Sequence, residues 1–231
     1  GHAPLMARQL AFDLPSVTAL GRDDFFVSPA NAAAVASVDS WPTTRWRTLF
    51  LIGPKGAGKT HLAHVWSALS GAAHIQATAL RRADIPALAA HCLVVEDVQQ
   101  IAGDDAAETA LFHLYNLAKA EGGTLLLTAE CEPQTMGLTL PDLESRLHQL
   151  GGVQLRAPDD ALLAAVLMKL FADRQLNPRP DVIPYLTRAM ERSFEAARTI
   201  VDALDTLALR EGRDVSRKLA SEVMERQAEL F

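Results

Sequence analysis

Eight consecutive residues carry the clearest chemistry in this chain: Gly53-Pro54-Lys55-Gly56-Ala57-Gly58-Lys59-Thr60, placed directly after the apolar run Leu49-Phe50-Leu51-Ile52. Glycines at 53, 56 and 58 let the backbone curl so that successive N–H groups converge on phosphate oxygens. The chain then enters a helix at Thr60, whose N-terminal dipole favours the same anion; Lys59 can reach β- and γ-phosphates, and the Thr60 hydroxyl can hold Mg²⁺. His61 opens the first helical turn and is grouped with the loop. The strand before and the helix after distinguish this segment from a glycine-rich turn that happens to contain Lys and Thr. They imply nucleotide binding, with ADP or ATP as the ligand; hydrolysis does not follow from the loop alone.

Further chemistry falls at the ends of two later apolar runs. Leu93-Val94-Val95-Glu96-Asp97 is a strand ending in two carboxylates, which next to a phosphate loop suits Mg²⁺ binding at Glu96 and water positioning at Asp97. Leu125-Leu126-Leu127 ends in Thr128-Ala129-Glu130, delivering polar groups to the carboxyl edge of a sheet, where ligands of open α/β folds collect. Thr128 is then within reach of a γ-phosphate. Two arginines, Arg146 in Asp142-Leu143-Glu144-Ser145-Arg146-Leu147 and Arg198 in Arg198-Thr199-Ile200, draw attention only through their place in this order; alone, each reads as a solvated helix charge.

The elements that must position these groups follow from periodicity. Five short apolar runs, Leu49–Ile52, His74–Gln76, Cys92–Val95, Thr124–Thr128 and Val153–Leu155, read as buried parallel strands separated by helical or loop segments. Such alternation predicts an α/β core with a five-stranded parallel sheet and helices on both faces. Beyond Pro158 the pattern becomes all-helical: 159–174, 180–192, 194–209 and 216–229, the last with Ser216 as N-cap. The expected organisation is a tail over 1–20, an α/β nucleotide-binding subdomain over 21–157 and an all-α lid over 158–231. Within the tail, Gly1–Leu5 before Met6 reads as an expression remnant.

With 231 residues and 49% hydrophobic content, the chain can bury a sizeable core, and a net charge of −6 lacks the basic footprint of broad nucleic-acid binding. Cys92 and Cys131 have no metal-ligand spacing and read as buried free thiols. No apolar run reaches membrane-spanning length and no signal peptide is evident, so the expected location is the cytoplasm.

Phosphate loop, acidic strand end, Thr-Ala-Glu strand end, Ser-Arg-Leu and a helical lid with an early arginine occur in an order that resembles the AAA+ ATPases of the DnaA initiator clade, from about Phe25 to Leu209. The resemblance implies that Phe25-Phe26-Val27-Ser28-Pro29-Ala30-Asn31 flanks the adenine, with Val27 and Asn31 as contacts. It also implies that Thr128 is sensor 1, Arg146 the arginine finger and Arg198 sensor 2.

Three departures narrow the expectation. DnaA proteins carry a helix-turn-helix domain after the lid, whereas only lid helices are expected here after Pro158. DnaA has extra helices between its second and third core strands, whereas about fifteen residues separate Gln76 from Cys92, so the single-stranded DNA surface of an initiator is not expected. Third, Gln9-Leu10-Ala11-Phe12-Asp13-Leu14 is similar to the motif by which bacterial proteins bind the sliding clamp of DNA polymerase, with Gln9, Leu10, Phe12 and Leu14 as anchors; the other reading docks Leu10, Phe12 and Leu14 on the chain's own core. Gln227–Phe231 approximates a second such motif, ranked behind a simple helix end.

The combination resembles the Hda-type regulatory inactivators of DnaA. This implies the clamp and DnaA as partners, DNA contacted only through the clamp, and no membrane; self-association stays open. Arg146 would then act in trans on ATP held by DnaA. Glu96-Asp97 departs from the usual Asp followed by an acid, so weak intrinsic hydrolysis is expected, with bound nucleotide setting the lid through Arg198. Three alternatives stay open: a free-standing AAA+ ATPase such as a helicase loader, an origin-binding initiator paralogue, and a nucleotide-dependent scaffold.

Overall fold

The computed structural model describes residues 27–41, 43 and 46–229. The strands form where leucine, valine and isoleucine cluster: β1 (Thr48–Ile52), β2 (Ala73–Gln76), β3 (Cys92–Glu96), β4 (Thr124–Ala129) and β5 (Val153–Gln154). All pairings are parallel and the order across the sheet is β2-β3-β4-β1-β5. Near-continuous apolar runs rather than alternating ones are what a sheet covered on both faces requires. Phe50, Leu51, Val94, Leu125, Leu126 and Leu127 are each 1% exposed or less. Burying each such side chain contributes about 1.5–3 kcal/mol, which makes the strands over 49–52, 93–95 and 125–127 the rigid floor of the molecule.

Around them run α1 (Ala32–Asp39), α2 (Lys59–Ser70), the short α3 (Ile85–Ala89), α4 (Asp105–Glu121) and α5 (Pro141–Leu150). Phe50, Ile52, Leu93, Val95, Leu125 and Leu127 pack in one cluster with Leu111, Leu114 and Ala118 of α4 and Leu143 and Leu147 of α5. Local chemistry sets the helix ends. Asp104 caps α4 by accepting the Ala107 N–H (3.2 Å), and Gly122 ends it at φ 80°. Between β2 and β3 the chain holds only a 3-10 segment, Ala77–Arg82, and α3.

The remaining helices are α6 (Asp160–Asp173), α7 (Val182–Ala189), α8 (Phe194–Glu211) and α9 (Arg217–Ala228). Three of them are capped by side chains, of which the sequence marked Ser216: Asp159, Ser193 and Ser216 accept the N–H of Leu162, Ala196 and Leu219 at 2.8, 3.0 and 3.2 Å. Leu163, Leu167, Phe171, Leu186, Val201 and Leu204 form the helical core. The described residues separate into two compact units, one within 27–54 and 59–155, the other within 55–58 and 156–229. The architecture is thus a five-stranded parallel sheet with helices, followed in the chain by a helical C-terminal part.

Candidate functional site

Strand order explains why distant residues converge. β4 lies between β3 and β1, so the turns leaving all three strands open at the same carboxyl edge. The register pairs Leu51 with Thr128 and Val95 with Leu127, which brings Thr128 level with Glu96 on one side and close to the start of the loop on the other.

In the loop, Gly56 and Gly58 adopt φ of 82° and 101°, values that a side chain disfavours, and this turns consecutive peptide planes as an anion cradle requires. Gly53 is needed for a different reason: a Cβ there would sit 2.4 Å from the Leu155 carbonyl oxygen. That crowding arises because Leu155 N–H bonds the Ile52 carbonyl at 2.7 Å, closing β5 against β1. Pro54, Lys55 and Thr60 are exposed, Ala57 is buried, and His61 is half-buried at the head of α2.

Lys59 is 7% exposed, and its ammonium donates to the carbonyls of Gly53 and Pro54, the latter at 3.0 Å. Burial pulls its pKa below the ordinary lysine value, while the nearby carboxylates of Glu130, Asp97 and Glu96 work against that fall. The cation is thus folded back on its own loop and held in the field of three acids.

Those acids are arranged asymmetrically. Glu96 ends β3; its Oε2 accepts from Gln76 Nε2 at 3.3 Å, whereas its Oε1 is fully shielded with no hydrogen-bond partner. A shielded carboxylate oxygen without a donor fits a cation, so Glu96 with the Thr60 hydroxyl would hold Mg²⁺, which would screen the charge of a bound nucleotide's phosphates. Asp97 stands in the left-handed region at φ 62°, ψ 53°. That geometry turns its N–H onto Thr128 Oγ1 at 3.1 Å. Thr128 is 2% exposed, and because its oxygen accepts from Asp97 its own hydrogen remains available to donate. Gln99 links the two strand ends: its Oε1 accepts the Glu130 N–H at 3.1 Å and its Nε2 approaches Asp97 Oδ1 at 3.4 Å.

The other expected residues are distributed as follows. Asn31 is 1% exposed, and its side-chain oxygen accepts the Ser28 N–H at 2.9 Å, knitting the turn before α1, while Val27 is 55% exposed. Arg146 lies on α5 on the exposed side of the helix, next to buried Leu147. Its guanidinium has no hydrogen bond or ion pair among the described residues. Arg198 lies in the second unit on α8; burial lowers its pKa against the opposing charge of Glu195, and its Nε is shielded without a partner. Gln9, Leu10, Phe12 and Leu14 lie outside the described residues, as do Leu230 and Phe231. Among the described residues no group of three or more His, Cys, Asp or Glu is placed to hold a metal, and no helix is long and apolar enough to cross a membrane.

Sequence reasoning missed Gln99 and Glu108. Gln99 follows the acidic pair without any spacing that marks it. Glu108 reads as an ordinary first-turn acid of α4, yet it is completely buried. Nor did spacing reveal the left-handed Asp97, since only Gly, Asn or Asp routinely occupies that region and Asp is common elsewhere.

No family model matches the chain. It is 29% identical, over an alignment of 232 positions, to the chromosomal replication initiator protein DnaA of Caulobacter vibrioides, covering 87% of this chain but only 46% of that protein. Domain III of the Thermotoga maritima replication initiation protein DnaA superposes with a TM-score of 0.77 at 20% identity, covering 90% of this chain and 96% of that one. DnaA from Aquifex aeolicus bound to AMPPCP superposes with a TM-score of 0.72 at 19% identity, covering 91% and 69%. The fold is that of DnaA domain III.

Proposed function

We propose that this chain is a nucleotide-binding AAA+ regulator of replication initiation that docks on the sliding clamp and uses Arg146 to stimulate hydrolysis of ATP held by DnaA. The observation that carries the reading is Arg146 itself: an exposed guanidinium with no partner among the described residues, on a helix anchored by buried Leu143 and Leu147. An arginine committed to an internal ion pair could not serve a neighbour's site; this one can. Likeness to DnaA over most of the chain supports self-type packing against a DnaA neighbour, and the short connection between β2 and β3 supports a role other than holding single-stranded DNA.

On this reading the chain's own loop binds ADP or ATP as a structural ligand, its phosphates taken by the 53–60 backbone and Lys59, its γ-phosphate side faced by Thr128. Relatives of the same fold bind an ATP analogue. The chemistry is performed elsewhere: Arg146 stabilises charge developing on the phosphoryl group as it leaves a neighbour's ATP, a contribution of about 10³-fold or more in rate. Glu96 at the cation position and Asp97 beside it are each displaced by one methylene from the usual pair, so intrinsic turnover is slow.

The test measures hydrolysis of ATP preloaded on DnaA with clamp, DNA and this chain present. Arg146→Ala is expected to remove the stimulation while still co-eluting with the clamp; Gln9→Ala with Leu10→Ala is expected to abolish co-elution. Wild-type stimulation by Arg146→Ala would end the finger assignment, and clamp binding by the tail variant would end the docking assignment.

A further inference from the structure

The N-terminus of α5 lacks a cap of its own. Leu140 occupies the N-cap position without a side-chain hydrogen bond, and Pro141 follows it. What holds this end instead is a grip from α4 on the two residues that lead into the helix. Glu108, completely buried, accepts the N–H of Thr139 (2.8 Å) and of Leu140 (2.9 Å) on Oε1. Its Oε2 accepts the Thr139 hydroxyl (2.9 Å), the Thr139 N–H (3.1 Å) and the Gly103 N–H (2.8 Å). The same hydroxyl is 2.8 Å from Asp105 Oδ1. One carboxylate therefore ties together α4, the loop that follows the Glu96-Asp97 strand end, and the two residues that lead into α5.

We propose that Glu108 is a positioning residue for Arg146, setting the direction in which α5 presents its guanidinium; this rests on the reading of Arg146 as a finger in trans. A negative charge is favoured at a helix N-terminus, and a buried carboxylate is tolerated only when its lone pairs are filled, as they are here. The apolar contacts leave a degree of freedom that the clasp removes. Buried Leu143 and Leu147, with partly buried Leu140 and Leu150 on the same stripe, fix how α5 is rotated about its axis, but contacts along one line leave its swing across the underlying surface to be set at its ends. Arg146 is six residues beyond Leu140, about 9 Å along the axis at about 1.5 Å per residue. A tilt of roughly 10° about the N-terminus moves its Cα by about 1.5 Å and the guanidinium further, and a misplacement of about 1 Å can cost about 10²-fold in rate.

The signature expected of a positioning residue is a split. Glu108→Gln keeps shape but has one oxygen and two N–H donors, so it cannot accept both the Gly103 N–H and the N–H groups of Thr139 and Leu140. With ATP-loaded DnaA, clamp and DNA, it is expected to lower the maximal stimulated rate about 10-fold or more while the half-saturating concentration stays at the wild-type value. Its affinity for a fluorescent ADP analogue should be unchanged, and amide exchange should quicken over 139–147 but not in β1 or β4. Thr139→Val removes one donor to the clasp and is the milder variant, expected to lower the maximal rate severalfold. If both variants are folded and stimulate at the wild-type maximum while Arg146→Ala stimulates nothing, the positioning role is overturned and the finger reading stands. If Arg146→Ala also stimulates normally, both fall together.

Discussion

Replacing Thr128 by valine isolates the hydrogen bond that joins the acidic strand end to β4. The two side chains share shape, so packing in the sheet is retained, but the acceptor for the Asp97 N–H at 3.1 Å is lost. Asp97 is half-buried, so its stranded N–H costs about 1–2 kcal/mol, in the lower part of the range for an unsatisfied donor. The left-handed conformation at φ 62° carries a further strain of about 1–2 kcal/mol that the bond now offsets, and without the bond residue 97 is free to leave it. Thr128→Val should therefore lower the stability of the first unit by about 1–2 kcal/mol, a fall of roughly 2–8 °C in midpoint for a domain of this size. The molecule supplies its own reporter. Trp41, Trp46 and Trp66 all lie in that unit, with Trp66 5.1 Å from Trp46 and 6.0 Å from Trp41 between ring centroids, so fluorescence-monitored urea unfolding follows it alone. Asp97→Gly, which can occupy the left-handed region freely, should reduce the effect of Thr128→Val in the double variant. A Thr128→Val protein that unfolds within about 0.3 kcal/mol of the wild type would show that the hydroxyl does not hold Asp97, and the reasoning would fail.

Three further outcomes are expected. Lys59→Ala removes a charge-assisted contact to phosphate worth about 1.5–3 kcal/mol, so a fluorescent ADP analogue should bind about 10- to 150-fold more weakly in equilibrium titration. Gly53→Ala drives a Cβ to 2.4 Å from the Leu155 carbonyl and should separate β5 from β1, costing at least about 1–3 kcal/mol in the same urea assay. Burial pushes the Glu108 carboxyl up, but the hydrogen bonds from Leu140, Gly103 and Thr139 outweigh it and hold the folded pKa below the ordinary 4.5. The unfolded chain therefore binds a proton there first, so this stabilisation is complete above about pH 4.5 and is lost as pH falls through the lower folded value. Acid titration of stability should accordingly be shallower below pH 4.5 for Glu108→Gln than for the wild type, and equal slopes would contradict the clasp.

The fold was legible because its signals are local and strong. The five apolar runs became the five strands with a shift of one residue at one end of each, and Ser216 capped its helix as a serine before an amphipathic run should. The loop at 53–60 was equally plain, since positive φ at Gly56 and Gly58 is what glycine permits. Resemblance singled out Arg146; its exposure and lack of an internal partner are features of packing that no spacing reports.

By itself, then, the sequence determined which segments would be strands, which loop could cradle phosphate, and which polar residues would arrive at the ends of β3 and β4. Hydrophobic periodicity and backbone permissiveness are encoded over a few neighbouring residues. Only the tertiary structure decided that Thr128 takes the Asp97 N–H from 31 positions away, that Gln99 bridges Asp97 and Glu130, and that Glu108 holds the residues leading into a helix that begins 33 positions later. Each of these depends on where β4 inserts between β1 and β3 and where α4 meets the loop before α5. A side chain's partner across the fold is set by the packing of whole elements, and residue type alone does not carry that information.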